Sequence, residues 1–336
     1  MIDSAGEFAE QNRGSGLGGT RLKGSTVSGN FAKSLAAVVF LAIPREVTWA
    51  YFAGGMVLAI GIVVIFVRGD WQRAKGIDKL ILFGPLFYAA PIAAFGTEHF
   101  TLTQGVTSIM PTWIPWHYFW VYFVGACFIA GALSLATGIQ ARLAASLLAI
   151  TFFLFVVLMH GPGWAQDPRN RFALAVALRE TSFSGGALAL AATLTEQGRE
   201  RGAQVLANIA RYFVAIPVLF FSLEQFLHGD HVPGIPLKMV TPEYVIGHAV
   251  WTYLTATVYL VAGILLLVGK KTRVAATWLG LSVLFVELVV YVPIGVVERA
   301  SLATGLNYVA DTLMFCGAVL LLAGAMPREN GHQQRQ

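Results

Sequence analysis

The chain contains few charged residues and few cysteines. Only 12% of its 336 residues are Asp, Glu, Lys or Arg, which is about half the share in a typical soluble domain. Its two cysteines, Cys127 and Cys316, lie far apart in apolar stretches and form no C-x-x-C pair. This argues against a zinc ribbon and a dithiol relay. Isolated apolar cysteines of this kind are typical of packing residues.

Motifs for nucleotide binding and for common hydrolases are also missing. The 35 glycines form no G-x-x-x-x-G-K-S/T and no strand-bounded G-x-G-x-x-G. There is likewise no G-x-S-x-G and no H-E-x-x-H. The net charge of +5 does not indicate nucleic acid, because most basic residues lie in short connectors, where they set membrane topology.

Long apolar blocks dominate what is present. The chain is 56% hydrophobic, with a mean hydropathy of +0.67, and its blocks are near the 20 or so residues that cross a bilayer. We therefore expect an all-α, polytopic protein embedded in the lipid bilayer, with about nine transmembrane helices. The expected spans are residues 46–67, 80–98, 116–137, 143–160, 173–194, 205–226, 247–268, 274–292 and 306–325.

The sequence contains an internal repeat, which takes priority in predicting architecture. Polar landmarks recur 131 residues apart, and upstream of residue 101 the offset is 126. The clearest pairs are Pro111/Pro242, His117/His248, Trp120/Trp251, Gly138/Gly269, Arg142/Arg273, Thr181/Thr312, Pro91/Pro217 and Glu98/Glu224. Four spans per repeat is an even number, so both repeats enter from the same side and are expected to be parallel four-helix bundles.

These features predict six segments. They are a flexible polar tail (1–33), an interfacial segment with an N-terminal span and basic loop (34–79), the first repeat (80–195), a polar linker (196–204), the second repeat (205–326) and a C-terminal tail (327–336).

The distribution of basic residues predicts orientation. One face carries thirteen: Arg68, Arg73, Lys75, Lys79, Arg142, Arg199, Arg201, Arg211, Lys270, Lys271, Arg273, Arg328 and Arg335. The opposite connectors carry five: Arg169, Arg171, Arg179, Lys238 and Arg299. The positive-inside rule then places the N-terminus outside and the C-terminus in the cytoplasm.

Carboxylates cluster at the expected outer ends of the spans. Glu98 and Glu224 end the first helix of each repeat, and Glu180 and Asp311 open the fourth. An ionisable group in a span is a functional candidate because its burial is costly. We expect Glu98, Glu180 and His117 to converge in one bundle, and Glu224, Asp311 and His248 in the other. Such sets suit proton exchange with a quinone or ligation of a metal, or they only lock helices together.

A repeated H-x-x-W-x-Y motif begins the second helix of each repeat. His117 and Trp120, like His248 and Trp251, are three residues apart and share a helix face. They either contact a ligand or anchor the helix ends in the interfacial aromatic belt.

Two features break the repeat. Glu287 lies mid-span where the first repeat has Val156, and His160 corresponds to Tyr291. His228 and His231 have a spacing that a metal could use, although a loop of this composition is more typical of a simple turn.

The aromatic and proline-rich entry Met110–Tyr122, a helix ending at Gly138, the following Arg142-Leu-Ala-Ala and the later His160-Gly-Pro together resemble the DoxX family of four-helix bacterial membrane proteins. The resemblance covers residues 80–192, and residues 205–325 form a weaker copy. It implies a bacterial cytoplasmic-membrane location and four-helix units, and some family members are associated with quinone-linked sulfur oxidation. The double unit with an extra N-terminal helix departs from the usual single unit.

Three functions remain open from the sequence. The leading hypothesis is a redox-associated protein that binds a quinone or similar apolar ligand near the outer face, in contact with other membrane redox subunits. The second is a proton-coupled transporter, suggested by Glu287 and the parallel repeats. The third is an accessory or assembly subunit whose polar residues are only structural.

Overall fold

The structure is a computed structural model that describes residues 43–195, 200–235 and 238–328. The expected polar tail and nearly all of the interfacial segment before residue 43 lie outside the described residues, as does most of the C-terminal tail. The described part belongs to one compact unit that begins at Ile43. Its only β pairing is an isolated bridge between His231 and Val240, so this part of the chain is all-α.

Nine long helices form the framework of the described residues. They are α1 (Arg45–Val67), α2 (Gly84–Thr101), α3 (His117–Thr137), α4 (Ala141–Phe155), α5 (Arg171–Thr193), α6 (Glu200–Leu227), α7 (His248–Val268), α8 (Thr272–Val286) and α9 (Tyr308–Ala325). Shorter α-helices are Asp70–Arg73, Asp78–Ile81, Thr103–Ser108, Gly161–Gln166 and Val292–Val297, and π-helical segments are Val156–His160, Glu287–Tyr291 and Leu302–Asn307. Residues 200–204 were expected in a linker, but they form the beginning of α6.

Eight helical segments in the described residues are long and apolar enough to cross a membrane. The helix α5 is not among these eight, although it has 23 residues. Its sequence carries Arg171, Arg179 and Glu180, which lower its hydropathy. The structure thus supports a multi-pass membrane protein.

Helix boundaries recur at the same spacing as the sequence landmarks. The helices α3 and α7 begin 131 residues apart, and so do α4 and α8 and the π-helical segments that follow each of them. The left-handed residues that separate these helices also match, because Gly138 and Gly269 have φ of 74° and 73°, and Gln140 and Lys271 have φ of 53° and 48°. We call α2–α5 the first half and α6–α9 the second half.

The two halves interlock. The helix α2 packs against α9 of the second half, α6 packs against α5 of the first half, and α5 packs against α9. Around this contact, α2–α3–α4 lie on one side and α6–α7–α8 on the other. The helices α5 and α9 therefore form a wall shared by both halves, while α1 packs on α2 and α3.

Small residues allow the shared wall to close. A Cβ at Gly186 of α5 would lie 2.4 Å from the Ala318 Cα of α9, and a Cβ at Gly317 would lie 2.4 Å from the Tyr88 backbone nitrogen of α2. Such close approach is typical of membrane helix contacts that lack the hydrophobic driving force of water.

Consecutive long helices are antiparallel; for example, Gly54 and Gly61 of α1 face Ala94 and Leu86 of α2. We call the end at which α1, α3, α5, α7 and α9 begin the acidic end, and the opposite end the basic end. At the basic end, Asp78 accepts hydrogen bonds from Arg273 at 2.6 Å and Arg328 at 2.7 Å. Arg211, expected in a connector, lies in α6 and donates to the Leu266 and Leu267 carbonyls at the end of α7.

We expect Gly317→Ala to destabilise the protein, because the added methyl group meets the α2 backbone and cannot be relieved by a side-chain rotation. Overpacking of this kind costs about 1–3 kcal/mol. The measurement is the thermal unfolding of purified protein in detergent. Gly55→Ala in α1 is the matched control, since a Cβ there has no atom within 4 Å. Equal melting temperatures for both variants would contradict the close packing of α2 on α9.

Candidate functional site

Buried acids and arginines gather at the acidic end, where α2, α5, α6 and α9 meet. Glu98, Glu180, Glu224 and Asp311 are each between 6% and 8% exposed. Two arginines of α5, Arg171 and Arg179, lie among them. This group, which we call the acidic-end cluster, contains the four acids expected from the sequence.

Arg179 joins the two halves. Its guanidinium forms ion pairs with Glu180, at 2.9 Å between Nη2 and Oε1, and with Oδ2 of Asp311. Glu180 and Asp311 are equivalent positions of the two halves, but Arg179 corresponds to Ala310. A single arginine therefore serves both copies of the acid, at the wall between α5 and α9.

A second ion pair also links the two halves. Arg171 of α5 contacts Oε2 of Glu224 in α6, and the His228 Nε2 lies 3.9 Å from the same oxygen. Because α6 packs on α5, the first acid of the second half pairs with the fourth helix of the first half.

Glu98 is the least satisfied acid of the cluster. Its Oε1 is buried and has no hydrogen-bond partner in the described residues. Its carboxyl lies within electrostatic range of Asp311, since α2 packs on α9. Nearby, Tyr88 of α2 lies within range of Glu180 and donates a 2.7 Å hydrogen bond to the Phe183 carbonyl of α5.

The grouping of the acids therefore differs from the sequence expectation. The expected sets kept Glu98 with Glu180, and Glu224 with Asp311, each within its own half. The structure brings Asp311 to Arg179 and Glu224 to Arg171, both of which belong to the first half. The reason is the interlocked packing, which the repeat alone does not reveal.

The histidine and tryptophan pairs lie at helix starts. His117 is half-buried and its Nε2 is 3.1 Å from the Pro111 carbonyl oxygen, and Trp251 donates to the Ile246 carbonyl at 2.9 Å. Trp120 is 38% exposed, and its ring contacts Phe119 and Phe123. His248 is exposed at the first position of α7. In the contacts described, none of the four touches the acidic-end cluster.

His160 ends the first π-helical segment and lies within electrostatic range of Glu180 and Arg179. Together with His228, which lies near Glu224, it is a sequence-predicted histidine that borders the cluster. The first-half π-helical segment turns toward α5, and such segments are frequent at functional sites.

The loop histidines form no metal centre in the described residues. The rings of His228 and His231 are 5.5 Å apart, and the His231 Nδ1 lies 3.0 Å from an Asp230 oxygen. This hydrogen bond lowers the pKa of Asp230. Among the described residues, no group of three or more His, Cys, Asp or Glu side chains could hold a metal ion.

Two residues of the cluster, Arg171 and Arg179, were not among the site residues expected from the sequence. They were expected to be connector charges, but both lie within α5 and neutralise buried acids. The signal that could have found them is a 23-residue helix in which two arginines are eight residues apart, and one adjoins a glutamate.

A sizeable cavity lies away from the acids. It measures about 580 Å³ at the basic end and is lined by Asn208, Arg211, Gly269 and Thr272, among others. Arg211 is already engaged there by the α7 carbonyls, so we assign the candidate site to the acidic-end cluster.

Comparisons with known proteins add no relative. No protein-family model, no curated protein and no solved structure matches the chain.

Arg179→Met should strongly destabilise the protein, because it leaves two buried carboxylates without their cation. Breaking one side of a buried ion pair costs about 3–5 kcal/mol. The matched control is Arg73→Met, whose pair with Asp70 is largely exposed and should cost about 1 kcal/mol or less. Thermal unfolding in detergent measures both. A melting temperature of Arg179→Met close to that of Arg73→Met would contradict the bridging role.

Proposed function

We propose that the acidic-end cluster binds a quinone or a similar small apolar ligand and exchanges protons with it. The observation that carries this proposal is the Glu98 carboxyl, which is buried and has one oxygen unpaired beside the Arg179 ion pairs. The cluster lies at the ends of apolar helices, where a lipid-soluble ligand can arrive from the bilayer.

Charge balance supports proton exchange at this place. Glu98, Glu180 and Asp311 contribute three carboxyls around one permanently charged guanidinium, Arg179. Like charges in a poorly hydrated site disfavour a carboxylate that has no cation beside it. Glu98 is the natural holder of a proton, because no arginine pairs with it in the described residues.

A neutral Glu98 is a hydrogen-bond donor, which a carboxylate is not. Quinone carbonyl oxygens accept hydrogen bonds, so the Glu98 O–H can orient one of them. His160 and Tyr88 add further polar atoms near Glu180. The residues that would serve the ligand thus come from α2, α5 and the π-helical segment after α4.

We also propose that the chain is a DoxX-like tandem with nine spans and two parallel repeats. The recurrence of helix boundaries at 131 residues supports the duplication. The length of α5, 23 residues or about 34 Å at 1.5 Å per residue, supports it as the ninth span. A cytoplasmic basic end, an outer N-terminus and a bacterial cytoplasmic membrane remain proposals from charge distribution and the family resemblance.

The second candidate is an accessory subunit in which the cluster only locks helices. The observation favouring it is that each arginine of α5 links this helix to another one. Arg179 pairs with Asp311 of α9, and Arg171 pairs with Glu224 of α6. This candidate gives Glu98 no ligand and predicts no quinone binding.

Glu98→Leu should weaken binding of decylubiquinone at least tenfold, because the alkyl side chain cannot donate a hydrogen bond to a quinone carbonyl. Binding is measured by quenching of intrinsic tryptophan fluorescence in detergent. Glu243→Leu, at an exposed loop position, is the control and should bind as the parent does. Absence of saturable binding to the parent, or equal affinity in both variants, would reject the quinone proposal and favour the accessory role.

A further inference from the structure

The second half contains a buried polar group that does not belong to the acidic-end cluster. Glu287, Tyr259 and Cys316 come from the π-helical segment after α8, from α7 and from α9, and are 3%, 0% and 0% exposed. The Glu287 Oε2 and the Tyr259 hydroxyl are both buried and have no hydrogen-bond partner in the described residues. Burying such groups without partners is costly.

These residues share one region of the interior. Cys316 lies within electrostatic range of both Glu287 and Tyr259, and Tyr291 within range of Glu287 and Tyr259. No ion pair to Glu287 occurs in the part of the chain that the structure describes, and the groups that face it, Tyr259, Tyr291 and Cys316, are uncharged when protonated. The carboxyl is therefore held without a counter-charge.

The first half has apolar residues at the same positions. Phe128, Val156 and Gly185 stand where the second half has Tyr259, Glu287 and Cys316. Phe128 instead packs in an aromatic group with Phe152 and Phe155. Because the first half shows that this fold closes with an apolar interior, the polar group is not required for packing.

A loop closes the polar group from the acidic end. Between α6 and α7 the chain makes a hairpin, in which the Val232 nitrogen donates to the Met239 carbonyl at 3.0 Å. Residues Val232–Ile235 of this hairpin are fully buried. In the first half, no residue of the corresponding connector, 102–116, is buried.

Side chains of three helices hold the hairpin in place. Gln225 of α6 donates from Nε2 to the Gly234 carbonyl at 3.2 Å and accepts from the Gly234 nitrogen at 3.3 Å. Tyr291 donates to the Pro233 carbonyl at 2.7 Å. A Cβ at Gly234, whose φ is 103°, would lie 3.6 Å from the Tyr259 hydroxyl oxygen and 3.7 Å from that of Tyr291. The hairpin thus lies directly over the polar group.

We propose that Glu287 is a proton-binding site that exchanges with water only when the 232–235 hairpin leaves its seat. With the hairpin seated, the carboxyl is neutral, since no cation of the described residues compensates a carboxylate there. When the hairpin moves, water enters. The Glu287 O–H bond then breaks, its proton passes to water as hydronium, and the carboxylate takes a proton back before closure.

This site goes beyond the proposed quinone binding, because it uses neither Glu98 nor Arg179. Access runs from the acidic end alone. Toward the basic end, buried apolar residues of α8 and α9 follow the polar group, including Leu279, Val283 and Leu320.

The buried Cys316 provides a direct test of the gate. In a Cys127→Ser background, modification of Cys316 by a water-soluble methanethiosulfonate carrying a trimethylammonium group should be slow. Gln225→Leu removes both bonds to Gly234 and should accelerate it at least tenfold. Tyr291→Phe, which removes the bond to Pro233, should also accelerate it. The control is Tyr244→Phe, an exposed tyrosine of the same loop, which should leave the rate unchanged.

The proton is tested by dicyclohexylcarbodiimide, which reacts with protonated carboxyls in apolar surroundings. Mass spectrometry should find the adduct on Glu287 of the parent protein, and labelling should persist to higher pH than in Gln225→Leu or Tyr291→Phe, whose opened sites ionise. In addition, Glu287→Val should raise the melting temperature, because the variant no longer buries an unpaired carboxyl. Absence of the Glu287 adduct, or the same pH profile in parent and loop variants that retain their fold by circular dichroism, would overturn the proposal.

Discussion

The arrangement of the acidic end depends on one arginine that two acids must share. Arg179 pairs with Glu180 on its own helix and with Asp311 on α9, so it neutralises one acid position from each half. Separating a buried cation from its ion-pair partners strongly destabilises a protein. The contact between α5 and α9 is therefore fixed at the acidic end by charge and farther along by the close approach of Gly186 to Ala318. The positions of α2 and α6 follow, because each packs against one of these two helices.

Much of this architecture was readable from the sequence, and the reason is local. Apolar blocks of membrane length and the matched glycines at 138 and 269 specify where helices begin and end, and those boundaries agree with the structure within a few residues. The pairing of the acids was not readable, because it depends on which helices of different halves touch. A repeat specifies two similar folding units, but it does not specify that α2 packs on α9 instead of closing on α5. Arg179 was missed for the same reason, since its principal partner is 132 residues away.

The two halves share a backbone plan and differ in what fills it. The π-helical segments after α4 and α8 begin at equivalent positions, Val156 and Glu287. In the first half the neighbouring interior is aromatic, with Phe128, Phe152 and Phe155 in contact, whereas the second half places hydroxyl, thiol and carboxyl groups there. Aromatic packing stabilises an interior directly, while unpaired polar groups reduce stability. The second half has therefore given up packing energy that the first half retains, which is the pattern found where a fold carries a function.

The shared wall of α5 and α9 also has a consequence for biosynthesis. The helix α9 follows α1–α8 in the sequence, so each of those helices is synthesised before the wall can form. Until then, Arg179 has Glu180 as its neighbour but not Asp311, and α2 lacks the surface on which Gly317 will close. The first four helices of the repeat region thus cannot complete their own packing while they are the only ones inserted. The helix α9 therefore completes the packing of both halves.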